Sequence, residues 1–260
     1  MSNVNFKSVE VERAGQLEFI FLNRPPANFF DYEMVREIGV ALRRADDDQA
    51  VRVVLLAARG SVFCGGANFS TAGTDAEAPI VPGLIYRAGA ELLRTRKPII
   101  AAVQGAAIGG GLGLACVADF RVTCPEARLS ANFCRIGFHP GFALTAFLPR
   151  LVGQQAAAKM MYTGERIDGQ TAVAMGLADK LAPDRGSVLT AATELANEIA
   201  ESAPLAVMAT RATLRSGMVE LYEVATERER VQQEWLRSTF DFAEGVKAYA
   251  ERRRPEFRGN

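Results

Sequence analysis

Residues 98–113, PIIAAVQGAAIGGGLG, decide the fold class of this chain. Ile99 to Val103 is an apolar run typical of a buried strand, and Gly105 to Gly113 leads from it into a helix. The same order occurs earlier, where the apolar run Val51 to Ala57 precedes a second glycine loop at Gly60 to Gly66. Two strand, glycine loop and helix units, at 53–69 and 99–117, predict an α/β fold.

The rest of the chain extends this pattern in both directions. A hairpin-like start turns around Gly15, Asp31 can cap the first helix, and beyond Gly141 the pattern is helical almost to the end. We therefore predict one core at residues 1–200 and a helical C-terminal region at 201–260 that is not an independent domain. Further strands are predicted at 6–11, 17–22, 120–123 and 128–130, and a helix at 84–94.

Two features of the late helices carry predictions of their own. Pro204 suits the first turn of one helix. On another, an apolar stripe at helical spacing is expected to face the core or a subunit interface; it comprises Leu221, Val224, Val231 and Trp235.

Composition excludes several classes of protein. The chain has 260 residues, 49% of them hydrophobic, and its 30 basic and 30 acidic residues balance, so no charge pattern points to nucleic acid or an anionic membrane. The uncharged stretch from Pro98 to Ala118 is long enough for a bilayer, but its glycines favour a buried strand, turn and helix. With one histidine and no C-x-x-C pair, no metal site is indicated. No signal-peptide core is found at the N-terminus, so we expect a cytoplasmic protein.

The two glycine loops carry the chemistry that the sequence suggests. Side by side, two such turns could direct two backbone N–H groups at one oxygen, the geometry that stabilises an enolate or a tetrahedral oxyanion. The alternative is that these glycines serve close strand–helix packing alone. The sequence contains no P-loop, no G-x-G-x-x-G fingerprint, no G-x-S-x-G elbow and no H-E-x-x-H motif.

In order and spacing, these motifs resemble the crotonase superfamily, the enoyl-CoA hydratases and isomerases. The resemblance covers nearly the whole chain and includes four ordered segments beyond the first loop: Asn23 to Pro25, Val103 to Asp119, Gly137 to Gly153 and Arg254 to Phe257. It implies a core of repeated ββα units and a helical C-terminal region that builds homotrimers, often paired into hexamers.

The resemblance also implies residue roles. The N–H groups of Ala67 and Gly110 would hold the carbonyl of a coenzyme A thioester, and no further cofactor is expected. Gly65, Asn68 and Phe69 would lie along the thioester channel together with Gly110. Arg24 and Ala27 would lie near the adenine end. Family members often carry Asp where this chain has Asn68.

Two glutamates that hydratases of this family use are replaced here by Gly113 and Phe133. Neither residue can transfer a proton, so hydration by the usual mechanism is not expected. His139 lies in the turn 137–141 and is the candidate replacement for these two acids. The alternative is that this histidine is purely structural. Further candidates, each with a simpler structural or solvated explanation, are Asn132, Cys64, Cys134, Asp75, Glu77 and Arg252 to Arg254.

These observations lead to one preferred function and its rivals. We expect an acyl-CoA-transforming enzyme that stabilises a thioester enolate, with an altered set of acids and bases. The reaction could be hydration by another base, isomerisation, thioester hydrolysis or C–C cleavage. The rivals are a non-catalytic acyl-CoA-binding relative and an α/β structural subunit.

Overall fold

The computed structural model describes residues 6–68 and 82–260. Three residues singled out from the sequence, Phe69, Asp75 and Glu77, lie outside the described residues.

In the described residues, nine strands form two sheets. The larger sheet has the order β1-β2-β3-β5-β7-β9, in which only β1 and β2 are antiparallel, and the smaller sheet has the parallel order β4-β6-β8. The strands are β1 (Val9–Ala14), β2 (Leu17–Leu22), β3 (Val53–Ala58), β4 (Val62–Cys64), β5 (Ile99–Val103), β6 (Ala106–Ile108), β7 (Phe120–Thr123), β8 (Arg128–Ser130) and β9 (Lys180–Leu181). From β3 onward, successive strand pairs give one strand to each sheet, which is the repeated ββα arrangement predicted from the sequence.

Ten helices of the part of the chain that the structure describes cover the sheets and extend beyond them. They are α1 (Tyr32–Asp47), α2 (Pro82–Leu93), α3 (Gly110–Val117), α4 (Leu144–Val152), α5 (Gln154–Thr163), α6 (Gly169–Ala174), α7 (Val188–Ala200), α8 (Pro204–Leu214), α9 (Met218–Leu236) and α10 (Phe240–Ala250), with 3₁₀ turns at Asn132–Ile136 and Arg185–Ser187. Helix α7 packs on β3, β5 and β7, whereas α9 packs on α2 and α4, and α10 on the first 3₁₀ turn. Among the described helices, none is both long and apolar enough to cross a lipid bilayer.

Most element predictions are confirmed, and the misses have a local cause. Asp31 caps α1 by accepting a hydrogen bond from the Met34 N–H at 2.9 Å, and Pro204 opens α8. The two short strands β4 and β6 were missed because each has three residues and lies beside a glycine turn. A period of two cannot be detected over so short a run.

Of the two roles predicted for the apolar stripe on α9, core or subunit interface, the core role holds only for Leu221, which is partly buried against the core. Val224, Val231 and Trp235 are exposed by 72%, 41% and 55%. The buried side of α9 is instead formed by polar residues at helical spacing: Tyr222, Thr226, Glu229 and Gln233. Packing against α2 and α4 therefore selects the polar face, and the stripe remains available to a subunit interface.

A buried carboxylate on α9 holds the turn that precedes α4. Phe142 and Ala143 both have left-handed φ angles, 59° and 57°, which are strained for side-chain-bearing residues. Glu229 accepts hydrogen bonds from the Ala143 N–H at 2.8 Å, the Thr145 N–H at 3.1 Å and the Thr145 hydroxyl at 2.6 Å. Burial raises the pKa of this carboxyl to about 7, although the three hydrogen bonds oppose that rise. The Glu229 carboxylate thus stabilises the strained turn and accepts hydrogen bonds from N–H groups at the start of α4 that would otherwise be unpaired.

We expect Glu229→Gln to lower the free energy of unfolding by about 1–3 kcal/mol, because an amide nitrogen would face backbone donors that need an acceptor. Urea denaturation measures the change. Glu220→Gln, an exposed change on the same helix, is the matched control and should stay within about 0.5 kcal/mol of the wild type. Equal effects of the two substitutions would contradict the role assigned to Glu229.

Candidate active site

The two glycine turns interlock at backbone contact distance. A Cβ on Gly66 would lie 2.5 Å from the carbonyl oxygen of Ile108, and a Cβ on Gly111 would lie 2.2 Å from that of Cys64. Both distances are shorter than any real side chain tolerates, so each turn needs glycine where it meets the other. The interlock brings residues 66–67 and 109–110 to the wall of one cavity.

Two backbone N–H groups in this wall have no acceptor among residues 6–68 and 82–260. Gly110 begins α3, where helical geometry leaves the first N–H groups unpaired. Within the described part of the chain, neither the Gly110 N–H nor the Ala67 N–H donates a hydrogen bond. A Cβ on Gly66, the residue before Ala67, would lie 3.5 Å from the Gly110 nitrogen, so the two turns place these amides near each other.

The cavity that they face is mainly aromatic. It opens to solvent, and the enclosed space available to water-sized molecules is about 120 Å³. Its apolar wall comprises Phe29, Phe30, Ile85, Ile108, Phe133, Ile136, Phe138, Phe142 and Val246. Phe142 packs edge-on against Phe30 at a ring distance of 5.4 Å. Such a wall suits an apolar chain with a few oriented polar contacts.

The polar part of the wall is contributed largely by residues far apart in the sequence. Tyr86 donates a hydrogen bond to the Gln233 side-chain oxygen at 2.8 Å, and the Gln233 amide donates to the His139 carbonyl oxygen at 3.0 Å. Burial raises the pKa of the Tyr86 phenol. The side-chain amide of Asn132 has no hydrogen-bond partner among the described residues and lies beside Gly109. These groups can orient a bound molecule, and the Asn132 amide is free to bind it.

The structure places Gly113 and Phe133, the residues expected where hydratases of the family carry glutamates, next to or in the cavity wall. A Cβ on Gly113 would lie 3.0 Å from the Cβ of Phe142, so the phenylalanine fills the space next to this glycine. Phe133 is buried and lines the cavity. Among the described residues that form the wall, there is no Asp, Glu or His. No cluster of three such groups or cysteines in residues 6–68 and 82–260 could hold a metal ion either.

His139 is not among the residues that line the cavity, as a catalyst would have to be. Its Nδ1 lies 2.8 Å from the Pro140 carbonyl oxygen, and burial lowers its pKa, which favours the neutral ring. The backbone carbonyl of this residue, rather than its imidazole, connects to the wall through Gln233. The placement supports the structural alternative for His139.

The other predicted binding residues divide into two groups. Gly65 and Asn68 line the cavity, whereas Arg24 and Ala27 do not. The Arg24 guanidinium pairs with Asp31 at 2.5 Å, and the Ala27 carbonyl oxygen accepts a hydrogen bond from the Gly65 N–H at 2.9 Å. The loop that contains Arg24 and Ala27 therefore supports the first glycine turn from outside the cavity.

The other described candidates, Cys64, Cys134 and Arg252 to Arg254, do not line the cavity. Cys64 is buried, which raises the pKa of its thiol to about 12, and neither it nor Cys134 lines the cavity. In the C-terminal tail, Arg253 pairs with Glu244 and Glu251.

Several wall residues were not found from the sequence: Tyr86, Phe142, Gln233, Arg237 and Tyr249. Gln233 and Arg237 are one helical turn apart on α9, so a polar pair at this spacing was a detectable signal. This signal is weaker than the apolar stripe on the opposite face of the same helix, so helical periodicity alone favoured the stripe.

Comparisons with known proteins agree with this architecture. The chain is 32% identical over 242 residues to "Probable enoyl-CoA hydratase" of Bacillus subtilis (strain 168), covering 92% of this chain and 93% of the relative. It is 32% identical over 263 residues to "Carnitinyl-CoA dehydratase" of Proteus mirabilis (strain HI4320), covering 97% and 99%. The crystal structure of an enoyl-CoA hydratase/isomerase from Pseudoalteromonas atlantica T6c superimposes with a TM-score of 0.86 at 27% identity, covering 97% of this chain and all of that one.

The family model for enoyl-CoA hydratase/isomerase matches residues 12–260, nearly the whole chain. The match includes both interlocked glycine turns and the helices that complete the cavity wall. The predicted α/β fold and superfamily are therefore confirmed, and this chain belongs to the enoyl-CoA hydratase/isomerase family, within the crotonase superfamily.

Proposed function

We propose that this protein is an acyl-CoA-transforming enzyme that holds the thioester carbonyl between the N–H groups of Ala67 and Gly110. The observation that carries the proposal is the pair of amides without acceptors on two interlocked turns in one cavity wall. The coenzyme A thioester is supported by the two relatives above, both of which are named for reactions of CoA thioesters. The thioester is the substrate, and the proposed chemistry invokes no further cofactor.

The amides would act on the charge that develops during reaction. When the α-carbon loses a proton or the carbonyl is attacked, negative charge collects on the thioester oxygen. A fixed donor in a site that excludes water is worth about 3 kcal/mol to that state, since it needs no reorganisation. The aromatic wall, including Phe30 beside Gly110, limits competing water.

The reaction proposed is one that does not depend on the two glutamates of hydratases. The positions where the family carries them hold Gly113 and Phe133, and no carboxylate of the described residues reaches the cavity. Asn132 could orient a water or the acyl group through its free amide. Isomerisation, thioester hydrolysis or C–C cleavage through the same oxyanion are the remaining candidates.

Removing one amide tests the oxyanion hole directly. We expect Ala67→Pro to reduce the red shift that a bound thioester carbonyl shows in Raman difference spectra, because proline has no N–H and only the Gly110 donor would remain. The turnover of any thioester that the wild type converts should fall by about 10²- to 10³-fold.

Ala67→Ser is the matched control for that experiment, since it changes the side chain and keeps the N–H. It should retain the red shift. A carbonyl that is equally polarised in the proline variant, with circular dichroism showing a native fold, would rule out the Ala67 amide as a donor.

We expect that a glutamate introduced at Gly113 will destabilise the fold rather than restore hydratase activity. Gly113→Glu should lower the free energy of unfolding by about 1–3 kcal/mol, because the new side chain overpacks against Phe142. Urea denaturation measures it against Gly83→Glu, whose Cβ would make only an ordinary contact with Arg230 at 3.8 Å. A stable Gly113→Glu variant that hydrates crotonyl-CoA would contradict this account of the site.

A non-catalytic acyl-CoA-binding protein is the second candidate. It is favoured by one observation, the lack of any carboxylate or imidazole among the described wall residues. A panel of acyl-CoA thioesters, including crotonyl-CoA, separates the two candidates by turnover.

If turnover is found, His139→Ala should leave it largely intact, because the imidazole does not line the cavity. Loss of a true general base would instead lower the rate by about 10²- to 10⁴-fold. A decrease of that size in a variant that remains folded would support the catalytic role of His139 that the sequence suggested.

The homotrimer or hexamer implied by the resemblance is a proposal for this chain as well. Leu205 and Leu214 of α8 and Val224 of α9 are exposed by 77%, 79% and 72%. Self-association would bury this apolar set, which comes from the C-terminal region where the resemblance places the interface.

A further inference from the structure

Arg237 is a cation without an anionic partner in the cavity wall. It ends α9 and lines the cavity together with Gln233, Val246 and Tyr249. In the described residues, no carboxylate lies within ion-pair distance of its guanidinium, and no carbonyl or hydroxyl oxygen accepts a hydrogen bond from it. Its half-buried position lowers its pKa through desolvation. Arginines with this degree of burial are normally paired, so the missing partner needs an explanation.

The guanidinium is held in place by aromatic rings rather than by hydrogen bonds. Its central carbon lies 5.0 Å from the ring centre of Phe138 and 6.0 Å from that of Phe242. The two rings are 4.9 Å apart and come from different elements, the turn after the first 3₁₀ segment and α10. Stacking of this kind orients an arginine while leaving its donor edge free.

The Arg237 side chain does not cap the C-terminal end of α9. A positive charge near a helix C-terminus is favourable, but the last carbonyl groups of α9 are already engaged. The Gln233, Trp235 and Leu236 carbonyl oxygens accept hydrogen bonds from the backbone N–H groups of residues 237, 238 and 239. The five donors of the guanidinium therefore remain available to a bound molecule.

The surroundings favour an anion. No Asp or Glu occurs among the described wall residues, so none of these residues competes for the cation. Tyr249 lines the same region, and its hydroxyl has no partner among the described residues. A planar fork beside a phenol is suited to bind a carboxylate through two parallel hydrogen bonds.

We propose that Arg237 binds a carboxylate on the acyl group, so that the substrate is the coenzyme A monothioester of a dicarboxylic acid. This rests on the proposed function, which places the thioester carbonyl at Ala67 and Gly110. Coenzyme A would leave that point past Gly65 and Asn68, and the acyl chain would then extend along Phe133, Ile136 and Phe138 towards Arg237. The apolar wall accommodates the chain, and the cation receives its charged end.

Paired ligands test this assignment by binding alone, whatever the reaction is. A ladder of 2-enoyl-CoA thioesters ending in a carboxylate, from glutaconyl-CoA upwards, is compared with methyl-ended thioesters of equal length by isothermal titration calorimetry. At the best length we expect the wild type to prefer the carboxylate by about ten- to a hundredfold in Kd. Arg237→Gln should lose that preference while binding the methyl-ended partner as before.

Two further variants keep the result interpretable. Arg237→Lys retains the charge without the fork and should keep part of the preference. Arg228→Gln removes a charge from an exposed position of the same helix, outside the cavity, and should leave the preference unchanged.

The outcomes distinguish this inference from the proposed function. If neither kind of thioester binds, the proposed function fails. If both bind equally and Arg237→Gln changes neither, the function stands and the carboxylate assignment is overturned. If Arg237→Gln weakens every thioester and free coenzyme A by the same factor, the residue binds a coenzyme A phosphate, which also overturns the assignment.

Discussion

The close approach of two backbone turns is the constraint on which the rest of this structure depends. Gly66 meets the Ile108 carbonyl and Gly111 meets the Cys64 carbonyl, each at a distance that excludes a side chain. The turns follow β4 and β6, neighbouring parallel strands of the small sheet, so pairing of the strands sets the register of the turns. Only with that register do the amides of Ala67 and Gly110 share a cavity. A side chain at either glycine would separate the turns before it affected any catalytic group.

The C-terminal helices complete the cavity that the turns begin. Helix α9 contributes Gln233 and Arg237, and α10 contributes Val246 and Tyr249. The buried face of α9 is polar because it must satisfy strained backbone: Glu229 serves the turn at Phe142 and Ala143, and Gln233 serves the carbonyls of His139 and Pro140. The helices therefore shape the wall from one side and hold its Phe142 segment from behind.

The fold is that of the family over nearly the whole chain, and the described cavity wall is mainly aromatic. Phe142 occupies the space beside Gly113 and belongs to the left-handed turn that Glu229 holds. The Glu229 carboxylate therefore supports a segment that shapes the cavity as well as the stability of the fold.

The sequence by itself determined the α/β class, most of the longer strands, the two glycine turns and the family, because these are local patterns in a fixed order. The tertiary structure decided which residues meet around the cavity. It placed Tyr86 against Gln233, put Arg237 beside two neighbouring aromatic rings, left His139 outside the wall and turned Val224, Val231 and Trp235 of α9 to solvent. Helical periodicity identifies the faces of a helix, but only packing against other elements selects the face that is buried. Burial, in turn, decides which polar groups are already satisfied and which remain free to bind a ligand.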